Sequence, residues 1–177
     1  MLQLETKNRN KLKIYTYPDP VLRKKAEPVE VIDERIRRLA QDMLFTMYEA
    51  PGIGLAANQV GELLRVIVFD LEPEKNGNHP CVLINPEIID AQGEVTTEEA
   101  CLSVIDYRAD VKRKALVRVR GLDLEGNELC FDADGLLAVC LQHEIDHLDG
   151  ILFIDYLSAL KRALYKKRLK KKLKKSS

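Results

Sequence analysis

Several common features are missing from this chain, and each absence narrows what it can be. No stretch approaches the ~18 consecutive apolar residues of a membrane-spanning helix. The start, "MLQLETKNRNKLKIYTYPDP", has no apolar core flanked by a cleavage site. No signal peptide is therefore expected, and the cytoplasm is the default location. No internal repeat is found, so a solenoid or blade architecture is not indicated. Cysteine is sparse: Cys81, Cys101, Cys130 and Cys140 are the four, and in a cytosolic chain they are expected as thiols or ligands rather than disulfides. Net charge is also missing, since 28 Lys and Arg balance 28 Asp and Glu. That balance hides an asymmetry. Ten of the bases lie from Lys161 onward, where there is no acid, which leaves 18 bases against 28 acids in residues 1–160. A basic tail of this kind suggests an anionic partner.

What is present fits one soluble domain. The 177 residues are 46% hydrophobic and 32% charged, enough for a sizeable core. Residues 32–50, "IDERIRRLAQDMLFTMYEA", predict a helix with Asp33 as N-cap. Its apolar stripe is Ile36, Leu39, Ala40, Met43, Leu44 and Met47, and Pro51 stops it. "PGIGLAANQVG" (51–61) predicts a loop of small residues, and "LRVIVFDL" (64–71) a strand buried on both faces. Residues 72–80 are rich in turn formers. Strands are expected at 81–90, 94–104, 115–124 and 128–133, the last two joined by "EGN" as a hairpin. Asp134 is placed to cap a helix from Gly135 to about Leu148, ended by Gly150. A last helix from about Ser158 carries the basic tail. Strands in runs between helices predict an α+β fold, with mostly antiparallel or mixed sheet packed on the histidine-bearing helix and a C-terminal helix after it.

The chemistry is concentrated in "LQHEIDHLDG" (141–150). His143 and His147, two of only three histidines, stand four apart with Glu144 between them. On a helix that spacing puts both on one face, within reach of one metal ion. A catalytic zinc-type site needs a third protein ligand and an open position. Two protease patterns fail by inspection. His-Glu-x-x-His-x-x-Gly-x-x-His would need histidine at 153, where Phe153 stands, and no glutamate follows Glu144. His79 lies in a turn-rich loop and reads better as exposed. Cys140 lies ~10 Å along the helix axis from His147 and reads as an apolar wall residue. Cys81 and Cys130 fall at strand positions and read as packing. Cys101, in "EEACLSV", is free to approach from another element and is the favoured third ligand. Gln59 ends a Gly/Ala loop that could bring its amide close. Gly52 and Gly54 serve either a turn or the approach of an extended substrate backbone. Ile53, Leu136 and Cys140 are placed to form an apolar slot or to be ordinary core. Asp146 either orients a histidine or lies on a solvated face.

Three separated segments, "GIGLAANQ" (52–59), "EACLS" (99–103) and "QHEIDHLDG" (142–150), resemble the three signature motifs of the peptide deformylases, in order and at similar spacing. These enzymes remove the formyl group from the N-terminal formyl-methionine of new bacterial proteins. The resemblance runs from about Tyr17 to Leu157. It implies metal ligands Cys101, His143 and His147, Fe²⁺ as the physiological metal, and Zn²⁺, Ni²⁺ or Co²⁺ as substitutes. It implies Glu144 as general base and acid, with Gln59 and the Leu102 N–H as oxyanion donors. It also implies a supporting role for Glu99 and places Arg108 near the peptide entrance. One departure is Ala100, where the motif usually has Gly. A need for positive φ there would strain Ala, and the methyl group could narrow the cleft. The first dozen residues look like an extension.

The expected organisation is a catalytic domain over residues 1–160 and a basic helix or tail over 161–177, in a monomer. In the tail, Leu164, Leu169 and Leu173 form a loose apolar face. A solvated helix and a membrane-surface helix are two readings. Ribosomal RNA is favoured, because the substrate emerges from a ribosome. The competing functions are a metallopeptidase, opposed by the missing downstream His or Glu, and a non-catalytic metal protein that binds RNA, opposed by Glu144 and Gln59.

Overall fold

Asp33 opens the first long helix, α1 (Glu34–Glu49), by accepting a hydrogen bond from the Ile36 N–H at 3.0 Å. Ile36, Ala40, Met43, Leu44 and Met47 form its buried stripe. The computed structural model describes residues 9–72 and 79–175. The strands are β1 (Gly54–Ala56), β2 (Val66–Phe69), β3 (Cys81–Gln92), β4 (Val95–Cys101), β5 (Val104–Arg113), β6 (Leu116–Leu122) and β7 (Glu128–Asp134). After them come α2 (Gly135–Leu148) and α3 (Ala159–Lys175).

One sheet has the order β1-β2-β3-β6-β7, and β4 and β5 form a second, two-stranded sheet. All pairs are antiparallel. The alternation of strand side chains explains why β2 is apolar throughout. Val66 and Val68 pack with α1, while Ile67 and Phe69 pack with α2. The large sheet is thus sandwiched between α1 and α2. A third cluster joins Val104 and Val111 of β5 to Phe153, Tyr165 and Leu169.

The α+β expectation holds, and several details differ. Residues 94–104 are not one strand. The chain ends β4 at Cys101, turns, and returns as β5, which the sequence reading missed. The sequence "VIDYRADVKR" carries five charges, but Val104, Val111 and Arg113 face inward. The loop at 51–61 contains β1 and a 3-10 turn, Ala57–Val60. Cys81 and Cys130 are exposed rather than packed, because strand alternation puts them on outward faces; all four cysteines are free. Asp134 occupies the N-cap of α2, but its side chain makes no capping bond. Gly150 does follow α2, at φ 73°. In α3 the buried residues are Tyr165 and Leu169, whereas Leu164 and Leu173 are exposed. The expected loop at 72–80 lies largely outside the described residues.

Candidate metal centre

Ten of the 14 residues of α2 are buried, so its two histidines sit inside the protein. Their Nε2 atoms are 3.2 Å apart. The Cys101 Sγ, at the end of β4, lies 3.2 Å from His147 Nε2. The three donor atoms all fall within 4.8 Å of one another. A tetrahedral ion with M–N of about 2.0–2.1 Å and M–S of about 2.3 Å separates its donors by roughly 3.3–3.6 Å. The donor set therefore fits one metal ion with little movement. The backbone N–H of Ser103 donates to the Cys101 sulfur at 3.4 Å, as suits a thiolate. Cys140 stays apart as a wall residue, and burial pushes its thiol well above the usual range. His79 is exposed and outside this group.

His143 is oriented from behind. Glu99 Oε2 lies 2.8 Å from His143 Nδ1. Arg113 donates to both oxygens of Glu99, at 2.6 and 2.9 Å, and to Asp146 Oδ2 at 2.5 Å. The Tyr156 hydroxyl donates to the same Asp146 oxygen at 2.9 Å. Burial alone would raise the Glu99 carboxyl, but hydrogen bonds from Arg113 and His143 outweigh it and hold it below the usual range. An ionised Glu99 only accepts, so His143 donates through Nδ1–H and keeps the Nε2 lone pair for a metal. Sequence reasoning missed Arg113, which looks like any other base in "DVKRK". It also left Asp146 undecided; the structure ties Asp146 to this network.

Glu144 lies beside the donors. Burial pushes its carboxyl up to about 7, and its Oε2 has no hydrogen-bond partner. Gly54 explains how it fits. A Cβ there would sit 2.4 Å from Glu144 Oε1 and 3.0 Å from Cys140 Sγ. This glycine makes room for the carboxylate, a role the sequence reading did not assign. Gln59 is buried and its amide is fixed at both ends. Its Oε1 accepts the Ala56 N–H at 2.9 Å, and its Nε2 donates to Ser103 Oγ at 3.0 Å and approaches Cys101 Sγ to 3.6 Å. Ser103 was also missed, though it lies inside the "EACLS" segment.

A cleft of about 440 Å³ opens over these groups. It is lined by Gly52, Ile53, Gly54, Gln59, Glu99, Cys101, Leu102, Arg108, Leu136, Cys140, His143 and Glu144, with Pro51, Glu98, Ala100 and Val139 added. Every expected site residue reaches it except His147, which is 1% exposed and lies beneath. Leu136 is exposed at the start of α2, and Arg108 pairs loosely with Glu98 at 3.5 Å on the rim. Ala100 is not strained: among the described non-glycine residues only Asn85 and Asp106 have positive φ. A larger groove of about 530 Å³, between Tyr17–Pro18 and α3, holds none of the metal donors.

A polypeptide deformylase profile matches residues 11–163. The chain belongs to the polypeptide deformylase family. It is 57% identical over 166 residues to a peptide deformylase of Syntrophobacter fumaroxidans, covering 94% of this chain and 98% of that one. To a peptide deformylase of Alkalilimnicola ehrlichii it is 56% identical, covering 93% and 89%. Among solved deformylase structures, one from Legionella pneumophila aligns with a TM-score of 0.88 at 45% identity, covering 94% and 98%. One from Synechococcus elongatus, in complex with actinonin, aligns with a TM-score of 0.84 at 43% identity, covering 91% and 87%. Deformylases are hydrolases, and the enzyme class follows with the family.

Gly54→Ala is expected to displace Glu144 and lower kcat for formyl-peptide hydrolysis about 10²-fold, with metal content unchanged. Steady-state kinetics beside metal analysis check this. An unchanged kcat would mean that the glycine does not set the carboxylate's position.

Proposed function

We propose that this protein removes the N-formyl group from the N-terminal formyl-methionine of newly synthesised proteins and releases formate. The observation that carries the reading is a cluster of three metal donors at the base of one cleft that also holds a buried carboxylate and an oriented amide. Cys101, His143 and His147 would hold one Fe²⁺, with Zn²⁺, Ni²⁺ or Co²⁺ as substitutes. When bound, such an ion supplies a Lewis acid and brings the ionisation of water towards neutral pH. Imidazole and thiolate suit several metals, and the assignment to iron rests on the family resemblance.

The chain's own residues do the rest. Glu144, buried beside the metal donors, takes a proton from the attacking water and returns it to the departing amine as the formyl C–N bond breaks. Gln59 Nε2 and the backbone N–H of Leu102 donate to the oxyanion that forms on the formyl oxygen. Glu99 keeps His143 oriented. Ile53, Leu136 and Cys140 form the slot for the methionine side chain. Gly52, next to Ile53, lets the peptide backbone approach. β1 is an edge strand of its sheet, which leaves its outer edge for an extended peptide to pair with. Arg108 stands at the entrance.

We assign the catalytic unit to residues 1–160, acting as a monomer in the cytoplasm. Residues 161–177 supply a basic surface for the ribosome, through phosphate contacts with its RNA.

Two measurements test this reading. Fe²⁺-loaded protein, kept free of oxygen, releases formate from a short formyl-methionyl peptide. Gln59→Ala loses about 10²–10³ of that rate, and Glu144→Ala and Cys101→Ala lose more. A folded, metal-loaded parent that releases no formate contradicts the assignment. For the tail, Lys167, Lys170, Lys171 and Lys174 are changed together to Ala, because deletion would strip Tyr165 and Leu169 from the core. Co-sedimentation with ribosomes should weaken steeply with salt in the parent and fail in the variant. Salt-insensitive binding, or binding unaffected by the four changes, contradicts a phosphate contact.

A further inference from the structure

Position 153 is where the His-Glu-x-x-His-x-x-Gly-x-x-His pattern places its third metal ligand. Here it is Phe153, and the structure gives that ring a place at the site. After α2 the chain reverses at Gly150, whose φ is 73° and where a Cβ would meet the Arg23 carbonyl oxygen at 2.6 Å. A 3-10 turn, Phe153–Tyr156, then returns Phe153 beneath the helix. Its ring is 1% exposed. It runs near-parallel to the His143 imidazole, with centroids 6.1 Å apart and planes 27° from parallel. Tyr107 of β5 is also near-parallel to it, at 6.3 Å and 21°.

We propose that Phe153 is a positioning residue of the metal site, bracing the His143 ring and so fixing where Nε2 points. The inference rests on the metal-site reading above. The backbone holds the Cβ of His143, and Glu99 holds Nδ1 at 2.8 Å. One motion remains, a rocking of the ring about the line through those two points, and it swings Nε2. A hydrogen bond at Nδ1 hardly resists it. A packed neighbouring ring does, and the separations here lie within the range of aromatic pairs. His147 closes another side, with its ring 4.9 Å away at 71°. Because its side chain is a hydrocarbon with no donor atom, Phe153 braces the ligand without competing for the ion.

The test uses Co²⁺ as probe, with affinity read by chelator competition and geometry by the visible absorption bands. Phe153→Met keeps an apolar side chain and removes the ring. The expected result is Co²⁺ affinity about tenfold weaker, the low end of losses for groups that orient a ligand, with shifted bands. Leu22→Ala, in the same core cluster, should lower thermal stability and leave both readouts unchanged. Should Phe153→Met fail to fold, Tyr107→Leu removes the next ring from a half-buried position and must shift the bands. Parental affinity and bands in the folded ring-deleted variant overturn the proposal. A parent that binds no Co²⁺ overturns the metal reading itself, and this inference with it.

Discussion

Glu99 is the joint on which the site depends. Two metal donors come from α2 and the third from β4, and nothing in the covalent chain fixes one against the other. The buried carboxylate of Glu99 does so from two residues before Cys101. It binds His143 directly and is itself clamped by Arg113, which reaches on to Asp146 of α2. The small sheet is thereby bolted to the helix. Both Glu99 and Arg113 are almost fully buried, so neither charge is solvated if the other is removed. Breaking such a pair from one side costs about 3–5 kcal/mol. The interaction serves geometry more than stability, since buried ion pairs replaced whole by apolar groups often leave proteins as stable as before.

The rest of the fold supplies a rigid frame for that joint. β2, buried on both faces, lets α1 and α2 share one sheet. α2 can then be buried nearly all round and still present His143 and Glu144 to one cleft, with His147 just beneath it. The small residues of β1 allow close approach from the opposite wall. At Gly54 the approach is so close that a single methyl group would occupy the space of the Glu144 carboxylate. At the back, Tyr107 and Tyr165 have ring centroids 4.5 Å apart, so α3 packs on β5 rather than trailing from the body.

Much of this was legible in the sequence, and the physical reason is periodicity. His143, Glu144 and His147 announce themselves because a helix converts a spacing of four into one face. Cys101 followed because the other candidates failed on distance or placement. α1 was readable from its cap and stripe. β5 was not, because alternating charges hide a strand whose inward arginine is paired in the interior. Arg113 could not be told from a surface base, since its meaning lies in Glu99 and Asp146, which are distant in sequence. Cys81 and Cys130 were misread because a strand position fixes alternation but not which face is covered. The strain considered at Ala100 depended on a backbone angle that no residue type reveals.

In the proposed site, one metal ion is held by one sulfur and two imidazole nitrogens, with a position left open. X-ray absorption of the Fe²⁺-loaded protein at the metal edge measures this directly. One sulfur at about 2.3 Å and two nitrogens at about 2.0–2.1 Å are expected, taking typical zinc–ligand distances as a guide, with the remaining scatterer a light atom from solvent. Loss of the sulfur shell in Cys101→Ala would complete the assignment. A spectrum without sulfur, or with four protein ligands closing the site, would contradict it.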